Sequence, residues 1–261
     1  FHGNRMIENG KESVHEGHSV DFFADRAVDY LGSRRSEPDP FFCFVPFNGP
    51  YGHWPAIRGE SQTRFDEIYR DLPLHSIPRE GLNRRVIERY TQRVVEAGGT
   101  PHERFAGPLL LPNETTSLRN YFAQTSLIDD AVGRIMTALD ENGLAEDTIV
   151  IYTADHGFSL GHHGIWGHGL AAWPSSMLRP SYHVPLVMAG PGIATADHDG
   201  LVSQIDIPNT LLHAAGAALI ETDRHDSRVI ALDDPGRPVR DALCIEQEES
   251  RAIRTAGHLY V

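Results

Sequence analysis

Residues 148–153, TIVIYT, form an unbroken run of β-branched and aromatic side chains that passes straight into Ala154-Asp155-His156-Gly157. A run of this kind is expected of a central parallel strand covered on both faces. Its carboxyl end should therefore open onto Asp155 and His156, and in open α/β sheets ligands gather at that end of the strands. Between Thr153 and Gly169 the chain carries four histidines, one aspartate and five glycines. A carboxylate oxygen beside an imidazole nitrogen makes half of a metal shell. Gly157 is expected to let the backbone turn so that both side chains converge.

The rest of the chain alternates helix and strand signals. Residues 20–35 carry apolar side chains at helical spacing and are closed off by Pro38 and Pro40. FFCFVPF (41–47) reads as a short buried strand, 48–80 as a long Pro- and Gly-rich loop, and 82–97 as a polar helix. From 114 to 142, Leu118, Phe122, Thr125, Ile128, Val132, Ile135 and Leu139 recur every three or four positions. That spacing predicts a long amphipathic helix with Asn113 as N-cap and Gly143 as its stop. VPLVMAG (184–190) predicts another strand. DIPNTLLHAAG (206–216) predicts a helix with Asp206 as N-cap and Pro208 in the first turn. DALCIE (241–246) and RAIRTAGHLYV (251–261) predict late strands. The alternation implies an α/β fold with a mostly parallel central sheet flanked by helices. The expected division is a core at 1–220 and the start of a smaller strand region at 221–261.

Acidic residues number 36 and basic ones 23, so the formal net charge is −13. A balance of that sign speaks against nucleic acid as a partner and repels anionic substrates at long range. An anion site in this chain would need local positive charge or a metal. No apolar run is long enough for a membrane span. Cys43 and Cys244 lie in apolar runs and read as buried thiols, with a disulfide as the alternative. The opening stretch FHGNRMIENGKESVHEG has neither an initiator Met nor the character of a signal peptide, and the last residues stop within a strand-like run, so a piece of a longer protein is expected.

The pattern T-A-D-H-G-x-x-x-G-x-H-G-x-W-G-x-G after a buried strand resembles the sulfatase family of the alkaline phosphatase superfamily. VPLVMAGPG, VSQIDIPNTLLHAAG, RAIRTAGHLYV and PFFCFVPFNGPYGHWP extend the resemblance over most of the chain. It implies an alkaline phosphatase/sulfatase-like sheet and gives Asp155 and His156 the place of metal ligands. The metal implied is Ca²⁺, with Zn²⁺ or Mn²⁺ as alternatives. His168 stands where most of the family has a Lys that contacts the sulfate, so its charge would depend on pH. The family's Pro-His-x-Pro becomes Pro50-Tyr51-Gly52-His53-Trp54-Pro55, which leaves His53 or Tyr51 as the acid that protonates the leaving oxygen. Tyr51, Trp54 and Trp166 are candidate substrate contacts, and their aromatic faces suit sugar rings. His162 and His163 are expected to brace the loop.

Family members also carry Cys-x-Pro-x-Arg, or a Ser variant, whose first residue becomes formylglycine. Neither Cys43-Phe44-Val45-Pro46-Phe47 nor Cys244-Ile245-Glu246-Gln247-Glu248 fits that motif. The resemblance thus implies a metal-dependent sulfuric ester hydrolase whose formylglycine and remaining ligands lie upstream of Phe1, with this chain inactive alone. The implied substrate is a sulfated glycan or small molecule, in a periplasmic or secreted setting. Two other readings stay open: a phosphodiesterase or phosphonate hydrolase of the same superfamily, and a non-catalytic relative. The sequence does not address oligomeric state.

Overall fold

A computed structural model of the chain describes residues 4–50, 63–77, 88, 92, 95, 96, 98, 115–162, 166–167, 177–221, 226–247 and 250–261. They mix helix and strand, and the class is α/β. The chain divides into two compact units. One is 1–148 with 158–167 and 171–173; the other is 149–157 with 168–170 and 174–261.

The first unit opens with a hairpin of β1 (Asn4–Glu8) and β2 (Lys11–His15), antiparallel from Asn4↔His15 to Glu8↔Lys11. Asn9 and Gly10 both take positive φ, 50° and 77°, as a two-residue turn with the strands' twist requires. Helix α1 (Ser19–Arg34) follows, and the His18 Nδ1 accepts the Val20 amide at 3.2 Å as its cap. After it come the short α2 (Asp66–Tyr69) and the long α3 (Thr115–Glu141). The long helix stops as expected: Gly143 has φ 69°, and the Leu144 amide donates to the Leu139 carbonyl at 2.9 Å. Val20 and Ala24 of α1 pack with Leu127, Ile128 and Ala131 of α3, all buried. Arg64 and Arg134 bridge Asp21 at 3.1 and 3.2 Å along the solvent edge of that seam. A second cluster joins Ile77 and Leu118 with Leu74, Phe122 and Leu160.

The second unit holds β3 (Val150–Thr153), the short helix α4 (Arg179–Tyr182), β6 (Leu186–Ala189) and α5 (Asp206–Ala214). Its chain ends in a meander of β7 (Ala242–Gln247), β8 (Ser250–Thr255) and β9 (Leu259–Tyr260). In the first unit, β4 (Ser159–Leu160) pairs with β5 (Trp166–Gly167), so the glycine-rich stretch folds back on itself.

Several expectations need correction. The mostly parallel sheet is not met in the described pairings, all of which are antiparallel, β3–β6 included. A continuous apolar run reports burial, not direction, and 32 residues separate Thr153 from Leu186, enough to return the chain either way. Residues 41–47 are not a buried strand: they take no assigned strand partner, and Phe42 and Phe44 are 73% and 76% exposed. Cys43 and Cys244 are free and exposed. Cys43 belongs to that uncovered segment, and Cys244 shares the exposed face of β7 with Ala242 and Glu246. Asp206 is the first residue of α5, not its cap. Asn113 and most of 82–97 lie outside the described residues. No described helix is long and apolar enough to cross a membrane.

Candidate functional site

β3 ends at Thr153, and the ladder to β6 ends with it at Leu186. The next four residues carry the candidate pair. The carboxylate of Asp155 folds back to accept the His156 amide at 2.9 Å. His156 Nδ1 lies 3.0 Å from the Gly157 carbonyl. A carbonyl only accepts, so Nδ1 is the protonated nitrogen in this contact. Nε2 and Asp155 Oδ2 lie 3.8 Å apart. Two donors at that separation can bind one ion at bonds of about 2.0–2.6 Å. Asp155 is open to solvent and His156 is partly shielded.

The turn is held from both sides. The Gly157 amide donates to the Ser181 carbonyl of α4 at 2.9 Å, and the Gln204 side-chain amide donates to the Ala154 carbonyl. Gly157 is not among the glycines of positive φ. Its need for glycine is one of space, because a Cβ there would collide with the Pro180 carbonyl oxygen. The expected conformational role of Gly157 is thereby corrected to a packing role.

Gln204 sits in a turn braced from within. Asp206 is fully buried; its Oδ2 accepts the Ser203 amide at 2.8 Å and its Oδ1 accepts the Arg228 amide at 2.9 Å. Oδ1 also pairs with the buried Arg240 guanidinium. Arg240 reaches on to the Asp226 carbonyl at 3.0 Å and its carboxylate at 3.3 Å. Hydrogen bonds at both terminal nitrogens of Arg240 and both oxygens of Asp206 offset much of the cost of burying the pair, while the buried Arg240 Nε has no partner among the described residues. Thr210 Oγ1 accepts the Ile230 amide at 3.0 Å and donates to the Asp206 carbonyl at 2.7 Å. Asn209 pairs with both backbone groups of Ile220.

Of the sequence-derived site residues, Asp155 and His156 are brought together. Tyr51, His53, Trp54 and His168 lie outside the described residues, as does the Trp166 side chain. His162 is exposed, and its carbonyl lies 3.5 Å from the buried Ser159 hydroxyl. Among the described residues no group of three or more His, Cys, Asp or Glu forms a cluster for a metal. The pair is thus a fit for two positions of a shell, and the described residues do not complete it. Gln204 and the Asp206–Arg240 pair escaped the sequence reading, since nothing in residue type or spacing marks their long-range partners.

Comparison with known proteins gives this geometry a context. Residues 3–217 match the family model described as Sulfatase. The choline-sulfatase of Rhizobium meliloti (strain 1021) is 29% identical over 206 residues, covering 77% of this chain and 37% of the relative. The iduronate 2-sulfatase of Homo sapiens is 38% identical over 181 residues, covering 64% of this chain and 30% of the relative. The chain spans about a third of the length of these curated relatives. A solved chain in complex with its substrate D-glucosamine-2-N,6-O-disulfate superposes with TM-score 0.67 at 21% identity, over 98% of this chain and 63% of that one. The phosphonate monoester hydrolase of Agrobacterium radiobacter gives TM-score 0.63 at 23% identity, over 93% and 54%. These two likenesses show a shared fold.

Proposed function

Because the chain belongs to the sulfatase family, we propose that it supplies part of the metal-dependent site of an enzyme that hydrolyses a sulfate ester. The observation that carries this reading is the convergence of Asp155 Oδ2 and His156 Nε2, 3.8 Å apart at the end of β3. In it, Asp155 and His156 are two ligands of a divalent ion, Ca²⁺ in the first instance and Zn²⁺ or Mn²⁺ in the second. A bound ion would supply charge neutralisation for the sulfate oxygens. That contribution matters in a chain of net charge −13, whose field opposes an anionic substrate.

The chain's own residues do the rest. The Nδ1–H of His156 holds the ring so that Nε2 faces the shared point. His53, or Tyr51 in its place, protonates the departing oxygen, so that the product leaves as a neutral alcohol. His168 donates to a sulfate oxygen and is a cation only when protonated. Trp54 and Trp166 stack on the substrate. A sulfated glycan is the favoured class, supported by the disulfated glucosamine bound to the structural neighbour and by the sulfatase named for iduronate. A small quaternary ester is the alternative that the choline-sulfatase relative supports. The nucleophile, a formylglycine, and the remaining ligands come from sequence beyond these residues. The setting is periplasmic or secreted.

The test uses the full-length protein, with sulfate release from a generic aryl sulfate and from a sulfated glucosamine as readouts. Asp155→Asn and His156→Ala should each abolish release under saturating Ca²⁺ or Mn²⁺. Parent-like turnover in either variant sinks the assignment. Faster cleavage of a phosphonate monoester than of any sulfate ester would favour the phosphonate-hydrolase reading instead.

A further inference from the structure

The Asp155–His156 turn is fastened at one end by an exposed side chain that no catalytic motif singles out. The carbonyl of Ala154 stands one residue past the last β3–β6 pair and one residue before Asp155. It therefore has no ladder partner, and the amide of Gln204 donates to it. Gln204 is itself exposed, and an exposed side chain ordinarily has little hold on its own position. Here its backbone is fixed from behind. The Asp206 carboxylate accepts the Ser203 amide at 2.8 Å while the Asp206 amide donates to the Ser203 carbonyl at 2.9 Å, closing the turn on which Gln204 rides. Asp206 is in turn held by buried Arg240 and by the Arg228 amide. An unbroken series of bonds thus runs from the buried ion pair, through the 203–206 turn, to the backbone beneath the candidate ligands. At the far end of the same four residues the Gly157 amide is held by the Ser181 carbonyl at 2.9 Å.

We propose that Gln204 is a positioning residue for the Asp155–His156 pair. Its amide sets the plane of the 154–155 peptide and with it the direction in which the Asp155 carboxylate leaves the chain. The metal consequence rests on reading the pair as ligands; the positioning claim stands on the hydrogen bonds. A water molecule could solvate the Ala154 carbonyl equally well, but it would not tie that carbonyl to the buried pair. The distinction is therefore between solvation and registration.

The experiment uses the 261-residue chain with Gln at 204, Gln204→Met, which keeps side-chain length without a donor, and Gln204→Lys, which keeps a donor. Residue 204 is exposed, so both variants should fold. Amide hydrogen exchange is read residue by residue. Gln204→Met should speed exchange of the His156 and Gly157 amides by about tenfold and leave the amides of α5 unchanged. Gln204→Lys should return them toward the parent. Mn²⁺ titration in parallel should show affinity weakened on the order of tenfold in the Met variant and recovered in the Lys variant, as for other groups that orient metal ligands. Unchanged exchange at 156 and 157 in the Met variant overturns the proposal, and so does an equal acceleration throughout α5. A parent chain that binds no Mn²⁺ counts against the metal reading alone, and the exchange comparison still decides the role of Gln204.

Discussion

The helix pair α1–α3 and the strand pair β3–β6 are both built from apolar stripes, yet only the first hides its own. Val20, Ala24, Leu127, Ile128 and Ala131 are buried against one another. Small residues at 24 and 131 let the helices approach, and the Arg64–Asp21–Arg134 bridges close the seam. In β3–β6, Tyr152 stands directly opposite Val187, and the two remain 41% and 59% exposed. Ile151 and Met188, on the other face, are half-buried. A helix can satisfy its stripe with one neighbour, whereas a strand has two faces and two edges to cover. The contrast separates a part of the molecule that carries its own stability from a part whose value lies at its tip, where Asp155 and His156 sit.

That separation can be broken by experiment. The largest effect should fall on turnover. If Asp155 holds a metal as proposed, Asp155→Ala in the full-length enzyme should lower it by about 10³-fold or more, because a metal held there would supply several kcal/mol of charge stabilisation. The same enzyme with Leu127→Ala should keep near-parent turnover at temperatures well below its melting point. A comparable loss in both would mean the helix pair is coupled to the chemistry. Next in size is stability. Leu127 is fully buried, so Leu127→Ala should cost about 3 kcal/mol in urea denaturation of the chain. The exposed strand face should respond far less. Tyr152→Thr and Val187→Thr should each change stability by no more than about 0.5 kcal/mol, and a larger loss would show that this face is covered in solution.

The smallest effect concerns exposed charge. The Arg228 guanidinium hydrogen-bonds the Asp226 carboxylate, and the charges of Arg228 and Arg240 add to hold that carboxyl below the usual range. A carboxyl depressed in the folded state stabilises the fold above its unfolded pKa, and that contribution is lost as pH falls through the folded value. The parent should therefore lose melting temperature on acidification slightly more steeply than Asp226→Asn. The difference should shrink in high salt, since the group is exposed and screened. Identical acid profiles at low salt would show that the interaction contributes nothing.

Much of the helical architecture was legible because period and punctuation agree. The expected helix at 20–35 is observed at Ser19–Arg34, and that at 114–142 at Thr115–Glu141. Gly143 marks the second stop chemically, through its positive φ. The β1–β2 hairpin has a turn signal in Asn9-Gly10 but no strand signal, because Ile7 and Val14 are exposed and no alternation of buried and polar residues announces the strands. Strand direction was not legible at all, since TIVIYT reads the same beside a parallel or an antiparallel neighbour. Asp155 and His156 could be named because they are adjacent and follow a strand. Gln204 could not, because its importance comes from Ala154, 50 positions away, and from an ion pair whose arginine lies 34 positions beyond Asp206.

Gly157 changes what the motif Asp-His-Gly means as a unit of sequence. Its backbone angles do not call for glycine; the Pro180 carbonyl simply occupies the space where a Cβ would be. The third position is therefore a gauge of clearance between the Asp155–His156 turn and α4. Alanine, which adopts the local conformation without strain, would still have to push the two backbones apart, and the displacement would appear at His156. A change of one methyl group at a residue with no side chain and no chemistry would then act like a substitution at the proposed ligands, with Asp155 and His156 both intact. Variation in α4 acts on the same clearance from the other side, so that a longer or shifted 178–183 segment retunes the site without altering any of its letters.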